Sequence, residues 1–144
     1  MARYSRQRAV AEIGEEGQAL ISAGSVMVVG CGALGSMVAM QLAGAGVGTI
    51  GIADFDTVDI SNLQRQFFFA TSDAGEPKAL LLKRRMEALN PEIKVNLHEG
   101  MVTRTSAPEI FSPYDFIVDA TDNAASMRMV DEVSLTLGKG CCLG

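Results

Sequence analysis

Gly30-Cys31-Gly32-Ala33-Leu34-Gly35 carries three glycines spaced so that a phosphate can lie against bare backbone. The pattern Gly-x-Gly-x-x-Gly follows an apolar run and precedes a helical pattern. It predicts a turn whose N–H groups meet an anion at a helix start. Glycine permits backbone angles that other residues avoid and lets the anion come close. Asp54 lies 19 residues after Gly35, where an acid can hold ribose hydroxyls. Taken alone, these residues predict an NAD-binding domain. No Gly-x-x-x-x-Gly-Lys-Ser/Thr pattern is present, which argues against a P-loop.

Further polar residues recur where a parallel sheet would bring them together. Asp54, Asp56 and Asp59 put three carboxylates after the second apolar run. Arg65, within Ser61-Asn62-Leu63-Gln64-Arg65-Gln66, offers a rigid fork of donors suited to phosphate oxygens. Lys78 follows Pro77 in the first turn of a predicted helix, where a cation opposes the macrodipole. A phosphate at that point would offset the unfavourable placement. Asp119-Ala120-Thr121-Asp122-Asn123 ends another apolar run. Asp122 or Asn123 suits a helix N-cap, and a carboxylate facing ATP can also hold a magnesium ion.

The elements that must position these residues alternate. Apolar runs at 25–29, 49–53 and 116–118 read as strands buried on both faces, and 93–97 as a more exposed strand. Helical patterns cover 33–45, 77–90 and 123–137, with a short helix at 107–111. Residues 2–13 read as an amphipathic helix, and 18–23 as a further helical turn. Residues 56–72 form a long polar and aromatic connection with one helical turn around 62–66; a segment of this length inside a compact domain points to function. Another strand begins at Gly140. This order predicts an α/β, doubly wound, Rossmann-like and mostly parallel sheet with helices on both faces, forming one domain over 1–144.

Composition narrows the function. A net charge of −5 argues against non-specific nucleic-acid binding, although Arg3, Arg6 and Arg8 form a local basic cluster. No apolar run reaches the roughly 20 residues of a membrane span, and the first 20 residues do not resemble a signal peptide. Cys31, Cys141 and Cys142 form no spaced pair, which fits a reducing, cytoplasmic setting. Cys141 and Cys142 read as core residues of a strand, Cys31 as a bystander at the turn, and His98 as surface.

Read together, these residues resemble the ThiF/MoeB/HesA adenylyltransferases, which share their adenylation domain with ubiquitin-activating enzymes. The resemblance rests on Arg3-Tyr4-Ser5-Arg6-Gln7, Gly14, Gly17-Gln18, the glycine turn, Asp54-Phe55-Asp56-Thr57-Val58, Ser61 to Gln66, Gly75-Glu76-Pro77-Lys78, Asn90-Pro91 and Thr121-Asp122-Asn123. They span almost the full length in family order. The resemblance implies that ATP, not NAD, occupies the site. Its binding set would be Gly30, Gly32, Ala33, Gly35, Asp54, Asp56, Ser61, Asn62, Arg65, Lys78, Asp122 and Asn123. Within it Asp54 would hold the ribose, Asn62, Arg65 and Lys78 would face the phosphates, and Asp122 would help place Mg2+. Arg6 would reach into a partner subunit's site, implying a homodimer with residues 1–24 at its interface. Arg6, Arg65, Lys78 and Asp122 would carry catalysis.

The implied reaction is adenylation of the C-terminal glycine carboxylate of a small ubiquitin-like sulfur-carrier protein, as in thiamine or molybdopterin biosynthesis. Ala33 departs from a common fourth glycine and Asp131 from a common asparagine. The family continues past the position of Gly144 with further strands and, in many members, zinc-binding cysteines. The chain is therefore expected to be an incomplete member, with zinc relevant only to a longer protein. An NAD-dependent oxidoreductase and a non-catalytic nucleotide-binding or dimerising module are the competing readings.

Overall fold

The computed structural model describes residues 3 to 144. Five strands form one sheet in the order β3-β2-β1-β4-β5. They are β1 (Ser25–Val29), β2 (Thr49–Asp54), β3 (Lys94–Glu99), β4 (Phe116–Asp119) and β5 (Gly140–Leu143). Every neighbouring pair is parallel. The chain winds outward from β1 to β3, then crosses back to β4 and β5. The strand order thus reverses between β1 and β4, where open α/β sheets bind ligands at the strand C-termini.

Alternation along β1 explains the two layers of helices. Val28 points into a core shared with α3 (Ala33–Ala45) and α4 (Lys78–Leu89). Met27 and Val29 point into a second core with α5 (Ala107–Phe111) and α6 (Ala124–Thr136). A strand with both faces covered can be apolar at every position. The expected doubly wound sheet, with helices on both faces, is thus observed.

The N-terminal segment departs from expectation. In place of one helix over 2–13 there is a four-residue helix α1 (Ser5–Arg8), a turn, and α2 (Gly14–Ala23); residue 2 lies outside the described residues. Gly14 takes φ +55 at the join, and Glu15 and Glu16 favour a helix start four residues earlier than expected. This segment packs against the C-terminal ends of α3 and α4. Buried Gln18 accepts from Gln7 Nε2 (2.8 Å) and donates to the Ala45 carbonyl (3.1 Å). Buried Asn90 donates to Tyr4 Oη (2.8 Å) and to the Ala43 carbonyl (2.7 Å). Carbonyls that a helix end leaves unpaired are thereby satisfied by side chains.

Two smaller readings are corrected. His98 is half-buried rather than a free surface group, because its Nε2 meets Tyr114 Oη at 2.9 Å across β2. Gly51 makes the space for that tyrosine, since a Cβ there would lie 2.4 Å from the ring. Cys142 is exposed and Cys141 half-buried, so neither is a full core residue. The cause is position: β5 is the sheet's edge among the described residues.

Candidate functional site

The glycine turn leaves β1 and opens α3, and its three glycines answer three different demands. Gly30 takes φ +95, and a Cβ there would lie 2.7 Å from the Ala120 carbonyl. Gly35 packs so closely under the turn that a Cβ would fall 1.8 Å from the Gly30 oxygen. Gly32 has ordinary backbone angles, and among the described residues only Gln66 Nε2 lies within 4 Å of where a Cβ would stand. That open side belongs to a cleft of about 330 Å3 over the β1–β4 reversal.

Three helices start at this cleft. The first-turn N–H groups of α3 have no intrahelical acceptor, so they present partial positive charge beside Gly32. Lys78 begins α4 and lies 4% exposed, with Nζ 3.4 Å from Asp56 Oδ2. The Asp56 carboxylate is itself largely in solvent, so the buried cation is only loosely matched. Asn123 is the N-cap of α6, its Oδ1 accepting from Ser126 N–H at 2.9 Å. The structure therefore gives the cap to Asn123 and leaves Asp122 exposed at the cleft wall.

Asp54 ends β2 and braces the glycine turn. Its Oδ2 accepts from Cys31 N–H at 2.6 Å, and its Oδ1 accepts from Asp56 N–H at 2.7 Å. Each carboxylate oxygen keeps further lone pairs that a ligand hydroxyl can use. Cys31 is wholly buried; burial, aided by the Asp54 charge and opposed by Lys78, pushes its thiol far above the ordinary range. A permanently protonated thiol fits the expected bystander. Asp119 shapes the opposite wall, its Oδ1 accepting from Thr121 N–H (3.0 Å) and Oγ1 (2.7 Å).

Arg65 stands exposed at the cleft on the connection between β2 and α4. Asp59 accepts from Ser61 N–H at 2.7 Å and starts a 3-10 turn at Ile60–Asn62, slightly ahead of the turn expected at 62–66. Hydrogen bonding to Ser61 holds the Asp59 carboxyl below its usual range. Farther along, Arg85 donates to Asp73 and lies over the Phe69 ring at 5.7 Å, tying the connection to α4.

The cleft wall gathers Gly30, Gly32, Ala33, Asp54, Asp56, Arg65, Lys78, Asp122 and Asn123. It does not include Gly35, which lies beneath the turn, or Ser61 and Asn62, which sit farther out on the connection. Arg6 is exposed on α1, at the far end of the sheet from this cleft. The wall adds Gly100, Met101 and Val102 after β3, and Gln66 beside Arg65. The β3 group was detectable, because each C-terminal strand end of such a sheet turns toward the crevice. Gln66 belongs to the Ser61 to Gln66 motif of the resemblance, but a neutral amide beside an arginine carried no binding role of its own in the sequence. It is 5% exposed, and its Oε1 is buried with no hydrogen-bond partner among the described residues. Such an atom costs about 1–3 kcal/mol.

No group of three or more His, Cys, Asp or Glu side chains among the described residues is arranged to hold a metal ion by itself. A single exposed carboxylate, Asp122, still suits magnesium, which keeps waters and takes other ligands from substrate phosphates. No helix among the described residues is long and apolar enough to cross a membrane.

Comparisons with known proteins agree with this architecture. Residues 4–144 match the ThiF family. The chain is 43% identical over 142 residues to a sulfur carrier protein adenylyltransferase of Thermus thermophilus, covering 99% of this chain and 52% of that protein. It is 43% identical over 139 residues to a probable adenylyltransferase/sulfurtransferase MoeZ of Mycobacterium tuberculosis, covering 96% and 36%. The chain thus spans about half the length of the first relative and about a third of the second. Among solved structures, the E. coli tRNA N6-threonylcarbamoyladenosine dehydratase TcdA in complex with ATP superposes with a TM-score of 0.93 at 26% identity, over 99% of this chain and 58% of that one. E. coli MccB with MccA-N7isoASN gives 0.86 at 26% identity, over 98% and 43%.

Proposed function

The chain belongs to the ThiF family, and from that premise we propose that its cleft binds ATP and adenylates the C-terminal glycine carboxylate of a small ubiquitin-like sulfur-carrier protein. The observation that carries this reading is the cleft over the strand reversal, where a bare glycine turn faces a buried lysine and an exposed arginine. A carboxylate oxygen attacks the α-phosphorus, the bond to the bridging β-phosphate oxygen breaks, and pyrophosphate leaves with the charge. Such a transfer needs positioning and charge neutralisation rather than a protein nucleophile.

The chain's residues divide that work. Asp54 takes the ribose hydroxyls with its spare lone pairs, while Gly30, Gly32 and Ala33 leave room for phosphate, with Gly35 fixing the turn from below. Lys78, Arg65 and Asn62 face the polyphosphate, the two cations neutralising it, with Ser61 beside them in the binding set. Asp56 holds Lys78 on its rim side, and Asn123 fixes the start of α6 so that Asp122 faces the phosphates. Asp122 would hold Mg2+, which when bound supplies charge neutralisation to the phosphate oxygens.

Arg6 stands too far from its own cleft to serve it. That placement supports a homodimer in which α1 of each copy reaches the other's site. The three free cysteines support a cytoplasmic setting. The test is ATP–pyrophosphate exchange dependent on a carrier protein ending in Gly-Gly. Lys78→Ala and Asp122→Ala each abolish it under this reading. Undiminished exchange in both, or tighter binding of NAD than of ATP by calorimetry, overturns it.

A further inference from the structure

We infer that Tyr114 and His98 form a strut that positions the cleft wall at 100–102 for nucleotide, and that the strut lets go when His98 takes up a proton. The inference rests on the nucleotide reading and adds two positioning residues, neither of which lines the cleft. Tyr114 precedes β4, at the end of the sheet away from the cleft. Its neighbour Asp115 is pinned to β1, with Oδ2 accepting from Ser25 N–H (2.9 Å) and Oγ (2.8 Å). From that anchor the Tyr114 ring, 1% exposed, crosses β2 over Gly51 and ends at β3. There Oη accepts from Asn96 Nδ2 at 3.1 Å and meets His98 Nε2 at 2.9 Å. β3 is an edge strand paired with β2 alone, so this contact is a second hold on it.

The cleft wall begins directly beyond His98. Ala53, its register partner on β2, lines the cleft, as do Gly100, Met101 and Val102. The far end of this segment is anchored. Thr103 N–H donates to Ser106 Oγ (3.0 Å), Ser106 N–H donates to Thr103 Oγ1 (3.2 Å), and Arg104 pairs with Glu132 of α6 at 2.6 Å. Between the anchors, Gly100 (φ +88) and Met101 make no turn or loop hydrogen bond among the described residues. Their placement therefore depends on what holds the two ends.

The tyrosine hydroxyl carries one proton, and among the described residues Asn96 and His98 are its only hydrogen-bond partners. It accepts from the amide and donates to a neutral Nε2. An imidazolium offers no acceptor, so it would leave the buried tyrosine proton unpaired. The half-buried ring then turns to solvent instead. No carboxylate faces it to keep the charge in place. β2 presents Ala53, while β3 presents Asn96 and, farther along the same face, Lys94. Glu99 alternates to the other face, and Asp54 is turned to the glycine turn. Burial accordingly holds the imidazole below its ordinary value near 6.5.

The experiment is calorimetric titration with ATP at pH 8 and pH 5.5 of the chain, His98→Gln and Tyr114→Phe. Glutamine sets a non-titrating acceptor where Nε2 stands and so rescues the strut; comparison with it also cancels the protonation of ATP itself. Phenylalanine keeps the ring over Gly51 and loses only the hydroxyl. From pH 8 to pH 5.5 the parent is expected to lose about 2- to 10-fold more affinity than His98→Gln, the range for one net hydrogen bond. At pH 8 Tyr114→Phe binds about 2- to 10-fold more weakly than the parent, and acid weakens it no more than His98→Gln. Either variant decides alone where the other does not fold. An equal acid loss in the parent and His98→Gln, or parent-like affinity of Tyr114→Phe at pH 8, overturns the strut and leaves the nucleotide reading standing. A parent chain that binds no ATP at either pH overturns both.

Discussion

The two ends of the sheet treat buried polar groups in opposite ways. At the end where α3 and α4 finish, Gln7, Gln18 and Asn90 donate to helix carbonyls, and Tyr4 Oη accepts from Asn90. Arg3 also donates to the last carbonyl of α4, at Leu89, over 2.7 Å. At the end where α3, α4 and α6 begin, the helix N–H groups face open space. A lysine is buried against the dipole, and the Gln66 amide has no partner. The first end closes helix carbonyls with the chain's own side chains; the second leaves helix N–H groups open to the cleft.

Substitutions at each end test that contrast. The largest effect is expected at Gly35→Ala, where a Cβ would collide with the Gly30 backbone oxygen at 1.8 Å. Backbone cannot move aside as a flexible side chain can, so more than about 3 kcal/mol should be lost in urea denaturation. A smaller loss would mean that the turn is pliable. Next, Asn90→Leu removes the donor to Tyr4 Oη and to the Ala43 carbonyl, which keeps only its bond from Gly46 N–H. It should cost about 2–3 kcal/mol of stability while leaving ATP affinity of the folded protein unchanged, as read by calorimetry.

Lys78→Met should act with the opposite sign. Removing a buried cation with an exposed partner leaves the ligand-free protein as stable or more so, yet weakens ATP binding about 10- to 100-fold. A destabilised Lys78→Met protein would show that the two ends are built alike. The smallest effect lies between them, at His98. Burial holds its imidazole below the ordinary value near 6.5. As pH falls through that value the unfolded chain takes the proton first. His98 therefore supports the fold fully above about pH 6.5 and progressively less below it, through the folded-state value. His98→Asn should flatten the fall in urea stability over that window; an unchanged slope would assign the titration elsewhere.

The cleft end was more legible in the sequence than the capped end. Gly30, Asp54, Lys78 and Asp122 announce themselves because a glycine turn, an acid after a strand and a cation at a helix start are local signals with local causes. Gln66 and Asn90 stand within motifs of the resemblance, yet neither carries a local signal of what its side chain does. Asn90 meets Tyr4, 86 positions away, and the Gln66 amide comes to rest beside Gly32 across the cleft. The early break of the N-terminal helix was likewise hidden, because helical spacing continues through residues that packing onto α3 and α4 bends into a turn.

By itself the sequence determined the alternation of strands and helices, the parallel sheet and the phosphate-sized turn, since hydrophobic period, caps and glycines act within a few residues of where they stand. Tertiary structure decided which strands adjoin, that a lysine is buried while its aspartate is not, and which amides go unpaired. Those outcomes depend on which surfaces exclude water from one another, and that is settled only when distant segments pack together.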